Sequence, residues 1–412
     1  MKSQPNLQTY WRSPITLLGL TLLCLNLQSI SSKGEALSKE PNRVSSLQGA
    51  PTPIEVNASI DRGLSFLLKS QNSNGWWSTS EQPAVTALVL VAFNRESTGR
   101  FRIRRPSELN RAYEFILGSV RPDGSIHRGN FINYNTSLSL LALVTADDAH
   151  FLPVIRKSRS YLAGTQIDFK EVGKVDTEFD GGVGYGSKYQ HSDLNNTLAA
   201  IEAMRWSEQA LPPSDVSGAH PKGPDLNWAA VKQFLQACQN LPSHNAAPWV
   251  SEESRDRGGF VYYPGHSMAG GVTNALSGKI SLRSTGSISY AGLLSYLYAE
   301  VSRDDPRVRA VLDWLQNNYT LDENPALGQQ GYFYYLNLLT KALLAARIDQ
   351  LRLADGREIE WKAEVMRRLV ELQKPDGSWV NTEQRWWERD SALVTSYALQ
   401  SLEMLQANLK KP

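Results

Sequence analysis

A sixfold internal repeat is the feature that most constrains the fold of this 412-residue chain. Each repeat reads as an amphipathic helix, a turn rich in glycine and aromatic residues, and a helix rich in alanine and leucine. The first helices are predicted to begin near Ile60, Asn110, Val154, Trp228, Val308 and Trp361, and the second helices near Ala84, Asn135, Asp193, Ser289, Leu336 and Ser391. Four first helices reach a glutamine in one register: Gln71, Gln166, Gln239 and Gln373.

The second helices are apolar most of the way round, as in Thr86–Phe93 and Ser137–Val144. A helix that is apolar on all faces must be buried, whereas the first helices carry apolar residues at the spacing of one face. Six buried helices covered by six amphipathic ones predict an all-α fold, an (α/α)6 toroid whose last repeat closes on the first. An open solenoid is the competing architecture. Closure is favoured because six units suffice for a ring and neither end carries a polar capping repeat.

The N-terminal segment is predicted to lie outside this fold. Residues 1–32 combine Lys2 and Arg12 with the apolar run Ile15–Leu27, which is typical of a signal peptide or N-terminal anchor. The run is shorter than the roughly 20 residues that span a bilayer, so we expect export to the periplasm or the exterior. Peripheral membrane contact through this segment is compatible with export. Residues 33–54 are rich in Ser, Pro, Lys and Glu and are expected to form a disordered tether. The toroid is assigned to residues 55–412.

Charge and cysteine content exclude some classes of function. The 43 basic and 41 acidic side chains are nearly balanced, and no basic stripe predicts nucleic-acid binding. Removal of a signal peptide would leave Cys238 alone, so packing and not a disulfide must stabilise the fold.

The segment LVELQKPDGSW (Leu369–Trp379) resembles the glutamine–tryptophan repeat of the squalene/oxidosqualene cyclase and protein prenyltransferase superfamily. The likeness covers nearly all of Ile60–Leu405, and the blocks Gly258–Gly265 and Ser289–Ser295 are similar to those of single-toroid squalene-cyclase-like proteins. This resemblance implies the same toroid with a hydrophobic central cavity for an isoprenoid chain. The repeated glutamines and tryptophans themselves are expected to serve packing between repeats.

Cyclases of this superfamily that start by protonation carry an Asp-x-Asp-Asp-Thr motif, whose middle aspartate is the acid. The matching stretch here is Asp193-Leu194-Asn195-Asn196-Thr197. Asn195 stands at the place of the acid, and an amide has no proton to give at useful cost. Ordinary squalene cyclisation is therefore not expected, and Asn195 and Asn196 become candidate ligand-binding residues. Asp193 and Asp390 are the candidate catalytic acids, although a carboxylate at either place also suits a helix N-cap.

Further candidates follow from the predicted arrangement of the helices. In a ring of antiparallel hairpins, the N-termini of the six inner helices share one mouth, where unpaired N–H groups favour anions. Four aromatic residues are candidate ligand-binding residues, because they could solvate an isoprenoid tail and stabilise cationic intermediates. They are Tyr262, Tyr290, Tyr334 and Trp386. Packing against a neighbouring repeat is the alternative role for aromatic side chains of this kind.

Zinc-dependent prenyl transfer needs an aspartate, a cysteine and a histidine on inner helices. Cys238 falls on an outer helix and the six histidines are scattered, so neither a metal nor another cofactor is expected. Three functions remain open. The first is a cyclase-like enzyme that starts an isoprenoid cyclisation or isomerisation with acid, and the second is a non-catalytic toroid that binds a lipidic or protein ligand. The third is a carbohydrate-active enzyme with two carboxylates about 5 to 9 Å apart.

Overall fold

The structure, a computed structural model, describes residues 49–186, 191–211 and 224–409. In these residues the chain forms thirteen α-helices. They are α1 (Pro53–Ser70), α2 (Pro83–Arg95), α3 (Arg100–Ile103), α4 (Ser107–Leu117), α5 (Ile132–Thr145), α6 (Leu152–Ala163), α7 (Leu194–Ala210), α8 (Trp228–Ala237), α9 (Gly286–Tyr298), α10 (Pro306–Asn317), α11 (Tyr332–Ala345), α12 (Trp361–Leu372) and α13 (Ser391–Leu409). The predicted signal segment and residues 33–48 of the predicted tether lie outside the described residues.

Six helices pack in a closed cycle that forms an inner ring. Helix α2 packs on α5, α5 on α7, α7 on α9, α9 on α11, α11 on α13, and α13 again on α2. These are the six second helices of the sequence repeat, and the first helices α1, α4, α6, α8, α10 and α12 lie against them. The predicted all-α toroid of six hairpins is therefore confirmed, and the open solenoid is wrong.

The repeated glutamines join each repeat to the next one. Gln71 donates from Nε2 to the carbonyl of Gly75 in its own turn (3.0 Å) and to that of Glu108 in the next outer helix (2.7 Å). Gln373 makes the equivalent pair of bonds to Gly377 and to Ser59, both at 2.9 Å. Because Ser59 belongs to α1, this last bridge joins the sixth repeat to the first and closes the ring.

A hydroxyl in the second turn of five inner helices fixes their common register. Each accepts a hydrogen bond from the backbone N–H of the residue that follows the glycine turn of its own repeat, over 2.9 to 3.2 Å. The five hydroxyls belong to Thr86, Thr136, Thr197, Ser289 and Thr395. In α11 the matching residue is Leu336, because Tyr334, two residues before it, contacts Asn195, two residues before Thr197. Residues at equal distances from these positions therefore lie at equal depths along the axis of the ring.

The remaining elements lie outside the ring. Strands β1 (Gly271–Thr273) and β2 (Ile280–Leu282) form an antiparallel hairpin before α9, and β3 (Leu351–Arg352) pairs with β4 (Glu358–Ile359). Helix α1 begins at Pro53, two residues before the predicted boundary, because Thr52 caps it in a reciprocal capping box with Glu55. Within the described ranges, the helices are all too short or too polar to cross a membrane.

Candidate functional site

Contacts between inner helices that are not neighbours identify the side chains that face the axis. Tyr334 on α11 reaches Asn195 on α7, and Lys341 reaches Glu202, although α9 lies between these two helices. Residues seven apart share a helix face, so both pairs mark one axial stripe on each helix. By the shared register, the first axial layer consists of Ala84, Tyr134, Asn195, Ser287, Tyr334 and Leu393.

The next axial layer, one turn deeper, is apolar apart from one tyrosine hydroxyl. Its members are Leu88, Leu138, Ala199, Ala291, Leu338 and Tyr397. On the side of α5, α7 and α13, Leu138 and Ala199 each keep 8% of their surface accessible and Tyr397 keeps 7%, whereas Leu88, Leu338 and Ala291 keep 4%, 2% and 0%. Side chains in a solid core keep almost none, as Ile201 and Leu339 show at 0%. The axis therefore contains space beside Leu138, Ala199 and Tyr397, and its walls are mainly apolar.

Asp193 caps α7 at the edge of the first axial layer. Its Oδ1 accepts the backbone N–H of Asn196 at 2.9 Å, and its Oδ2 accepts the Asn196 side-chain amide at 2.7 Å. Asp193 is fully buried, and this burial raises the pKa of its carboxyl to about 6, against the opposing effect of those hydrogen bonds. The N-cap predicted for Asp193 is thus present, and it coincides with an acid whose pKa lies near neutrality.

Two tyrosines from glycine-rich turns lie beside this carboxyl. The hydroxyls of Tyr185 and Tyr262 are 3.1 Å apart, and the backbone carbonyl of Tyr262 accepts the N–H of Leu194 at 2.9 Å. Burial and the nearby charge of Asp193 raise the pKa of the Tyr262 hydroxyl well above its ordinary value. Tyr262 keeps 7% of its surface accessible, whereas Asp193 keeps none. Tyr262 is therefore the more accessible of these two side chains.

The turn that carries Tyr185 is held by α5. The side-chain amide of Asn133 donates to the carbonyl of Gly184 at 2.9 Å, and its backbone N–H donates to the carbonyl of Tyr185 at 3.1 Å. A Cβ on Gly184 would lie 2.2 Å from the carbonyl oxygen of His191, so only glycine fits there. The sequence Gly184-Tyr185-Gly186 therefore sets the position of a tyrosine that was not among the predicted site residues.

Asn195 faces the axis, as expected for the residue at the place of the family acid. Its Oδ1 accepts a hydrogen bond from the hydroxyl of Tyr334 at 3.0 Å. The Tyr334 aromatic ring lies 5.6 Å from that of Tyr397, and Tyr134 and Tyr397 interact from α5 and α13. The mouth is thus lined by an amide and several phenols. Five predicted site residues, Asp193, Asn195, Asn196, Tyr262 and Tyr334, come together here.

The expectation of free N–H groups at the mouth is corrected by the structure, because side chains cap most of the inner helices. Asn135 accepts the N–H of Ala84 at the start of α2 (2.8 Å), and Asn324 accepts that of Ser287 in α9 (2.9 Å). The Glu388 carboxylate accepts the N–H of Tyr334 in α11 at 2.8 Å. These donors are therefore already paired and are not free to bind an anion.

Asp390 lies at the same mouth and caps α13, accepting the N–H of Ala392 at 2.9 Å and of Leu393 at 3.0 Å. It is half-buried, whereas its neighbour Glu388 is 1% exposed. Burial raises the pKa of Glu388, opposed by hydrogen bonds from Asn381 and the first turn of α11. Glu388 was not among the predicted site residues, and its signal in the sequence was a second carboxylate in the loop before an inner helix.

Trp386 and Tyr290 occupy different surroundings. Trp386 adopts a positive φ of 56° in the loop before α13 and packs over Gly331, the N-cap of α11, so it lies near the mouth. Tyr290 is 1% exposed, and its aromatic ring lies 5.7 Å from that of Tyr335. Tyr335 donates to the carbonyl of Thr320, outside the axial layers. The contacts of Tyr290 are therefore those of a side chain packed between repeats.

A charged group at the far end of the axis was not predicted. It consists of Arg95, Glu202, Trp206, Tyr298, Lys341 and Met404, and we call it the base cluster. Lys341 Nζ lies 3.0 Å from both carboxylate oxygens of Glu202, and the hydroxyl of Tyr298 donates to the same carboxylate at 3.3 Å. Its signal in the sequence was a charged residue seven positions after Asn195 and another seven after Tyr334, in otherwise apolar helices.

Comparisons with known proteins bear on the fold. No protein-family model matches this sequence, and no curated protein matches it significantly. Among solved structures, it is similar to the type II terpene cyclase MstE from Scytonema, with 14% identity and a TM-score of 0.51 over 87% of this chain and 99% of that chain. A variant of MstE in complex with merosterolic acid A, its product, aligns with 15% identity and a TM-score of 0.50 over 86% and 97% of the two chains.

A family 76 glycoside hydrolase from a bovine Bacteroides thetaiotaomicron strain is similar to the same extent, with 10% identity and a TM-score of 0.50 over 84% of this chain and 77% of that chain. Identities this low establish the fold alone. They confirm the α/α toroid that the family resemblance implied. Because a terpene cyclase and a glycoside hydrolase share this fold, function must be argued from the site.

Proposed function

We propose that this protein binds an isoprenoid or similar lipidic chain along the axis of the toroid and starts its cyclisation or isomerisation with a proton from Asp193. The observation that carries the proposal is the position of this acid, buried at the mouth above a mainly apolar axial layer that retains space. The Asp390 carboxyl is the alternative acid at the same mouth.

The axial layers favour a chain that is apolar and unsaturated. Leu88, Leu138 and Leu338 offer hydrocarbon contact, and burying an apolar chain there is favourable by about 25 cal/mol for each Å² removed from water. The aromatic ring faces of Tyr334 and Tyr397 carry the negative side of the π quadrupole. A carbocation formed near the mouth would be stabilised by these faces.

The proton would reach the axis through Tyr262, because Asp193 itself has no accessible surface. In one concerted step, Asp193 gives its proton to the Tyr262 oxygen while the Tyr262 hydroxyl passes its own proton to an alkene carbon, so that no phenolate forms and Asp193 becomes a carboxylate. The π electrons form the new C–H bond, and a carbocation remains on the adjacent carbon. Loss of a proton from the rearranged cation along the same path restores the acid, so isomerisation or cyclisation needs no co-reactant.

A second candidate function is ligand binding without catalysis, and Asn195 favours it. This amide occupies the axis-facing position and is engaged by Tyr334, so no side chain of the first axial layer is a carboxylic acid. Both oxygens of Asp193 also accept hydrogen bonds from Asn196, which suits a permanent cap.

A pair of substitutions separates the two functions. Asp193→Asn and Asp390→Asn each remove an acid but keep a side chain that caps a helix, so each controls for the structural role of the other. Purified full-length protein would be analysed for bound isoprenoids by lipid extraction and mass spectrometry, then incubated with geranylgeraniol and squalene. Turnover lost in Asp193→Asn alone supports Asp193 as the acid. Bound lipid with no turnover in any variant supports the binding function, and the absence of both rejects the proposal.

Export and membrane contact through residues 1–32 remain proposals from the sequence. N-terminal sequencing of protein from the extracytoplasmic fraction tests them, and a mature protein that starts after residue 32 is the expected result.

A further inference from the structure

The base cluster brings together side chains from five of the six inner helices. Arg95 extends from α2, Glu202 and Trp206 from α7, Tyr298 from α9, Lys341 from α11 and Met404 from α13. The Arg95 guanidinium lies 5.6 Å from the centre of the Trp206 aromatic ring and donates to the sulfur of Met404 at 3.2 Å. Helices that are not neighbours can meet in this way only near the axis of the ring.

The charges of the base cluster are unequally matched. Glu202 neutralises Lys341 through a bidentate contact, with side-chain exposures of 5% and 9%. In the described part of the chain Arg95 forms no ion pair, and its one hydrogen-bond acceptor is a thioether. The nearby Glu96 is engaged by Thr98. One half-buried cation therefore faces the axis without a matching anion.

Glu403 does not supply that anion. It is 1% exposed, and both of its carboxyl oxygens lack a hydrogen-bond partner among the described residues. Burial raises the pKa of Glu403 well above its ordinary value and favours the neutral acid, and this effect is larger than that of the Arg95 charge, which lies within electrostatic range and lowers the pKa of this carboxyl. The positive charge of Arg95 consequently persists beside the axis.

We propose that Arg95 in the base cluster binds an anionic carboxylate head group of an amphiphilic isoprenoid whose apolar chain runs up the axis toward the mouth. This inference rests on the proposed function and adds the substrate class and its orientation. A planar guanidinium presents parallel N–H donors that match a carboxylate in a bidentate way. Stacking on Trp206 would hold that plane in place.

The dimensions of the axis agree with this orientation. Helix α7 rises about 16 Å between Asn195 and Trp206, at about 1.5 Å per residue. A prenyl chain of a few units spans that length with its head group at Arg95. Its terminal alkene then lies at the mouth, beside Tyr262 and Asp193, where the proposed proton transfer begins.

The test compares two ligands with the same chain, geranylgeranoic acid and geranylgeraniol, by isothermal titration calorimetry with the full-length protein. We expect the native protein to bind the acid about tenfold or more tightly than the alcohol at neutral pH. In Arg95→Gln the preference for the acid is lost while the affinity for the alcohol is unchanged. Arg95→Lys keeps the positive charge but not the parallel N–H donors of the guanidinium, and it retains part of the preference. Arg303→Gln, which removes an exposed arginine in the loop before α10, is the matched control and keeps the full preference.

The outcomes distinguish the two proposals. Equal affinity for both ligands in the native protein, or an unchanged preference in Arg95→Gln, overturns the carboxylate site but leaves the lipid-binding axis intact. Binding of neither ligand rejects the proposed function and this inference together. Thermal unfolding of each variant verifies that the binding data come from folded protein, and Arg95→Lys keeps the test decisive if Arg95→Gln does not fold.

Discussion

The hydroxyl of Tyr334 donates to Oδ1 of Asn195 over 3.0 Å, and this bond joins α11 to α7 inside the ring, past the intervening α9. Both side chains belong to the first axial layer. Asn195 is also the residue that stands at the place of the catalytic acid in the family that the sequence resembles. The contact therefore shows what a carboxyl at that position would meet, namely a phenol donor from α11 and Asp193 two residues earlier.

Replacing Asn195 with aspartate should create or increase catalysis. The new carboxyl could accept the same bond from Tyr334, and burial beside Asp193 would raise the pKa of one of the two groups. A protonated acid would then face the axis directly, so we expect turnover of geranylgeraniol to rise about tenfold or more, measured by gas chromatography and mass spectrometry. Asn72→Asp, in an exposed turn, is the control. Turnover equal to that of the native protein, with the ligand still bound, would contradict the prediction.

The glycine turns between repeats should tolerate no side chain. Gly377 has a φ of +91°, and a Cβ there would lie 2.5 Å from the carbonyl oxygen of Arg62 in α1. Gly356 has a similar φ of +86° but open space around it. Gly356→Ala should therefore lower the free energy of unfolding by only about 1–2 kcal/mol, the cost of a left-handed backbone with a Cβ. Gly377→Ala should lower the free energy of unfolding by roughly 2 kcal/mol more, because its Cβ would overpack the junction. Urea unfolding measures both changes. Equal losses would mean that the junction of the last and first repeats is not tightly packed.

The fold could be predicted from the sequence because its signals are periodic and repeated. Gln71 and Gln373 stand in one register of their helices, and this spacing alone indicated equivalent units. Their hydrogen bonds to Glu108 and Ser59 give the physical reason, since each one joins two repeats. Closure followed from the same pattern.

The site was harder to predict, because helices that are apolar all round do not reveal which face meets the axis. Tyr290 and Tyr334 looked equivalent in the sequence, each lying in the first turns of an inner helix. The register places Tyr334 on the axis and Tyr290 against Tyr335. Arg95 and Lys341 were overlooked because a charge near the end of a helix is usually solvated. Closure of the inner ring brings Arg95 of α2 and Lys341 of α11 into the same base cluster.

Stability should depend on pH through Asp193. Its folded-state pKa of about 6 lies above the ordinary value of an aspartate, so the folded protein holds this proton more tightly than the unfolded chain does. The resulting contribution is fully present below about pH 4 and is lost as the pH rises through 6, by about 3 kcal/mol in all. The difference in the free energy of unfolding between the native protein and Asp193→Asn should fall across this range, measured by urea unfolding from pH 4 to 7. A constant difference would mean that the pKa of Asp193 is not raised.

The ion pair of Glu202 and Lys341 should show strong coupling. Lys341→Met leaves a carboxylate buried without its cation and should lower the free energy of unfolding by about 3–5 kcal/mol. Adding Glu202→Gln should recover much of that loss, because Tyr298 can still donate to the new amide. The four proteins of this cycle would be compared by urea unfolding. The exposed pair of Arg309 and Asp304, 2.7 Å apart, is the control and should give a coupling of less than about 1 kcal/mol. If Lys341→Met alone proves as stable as the double variant, the carboxylate of Glu202 must reach water, and the base of the axis would then be open to solvent.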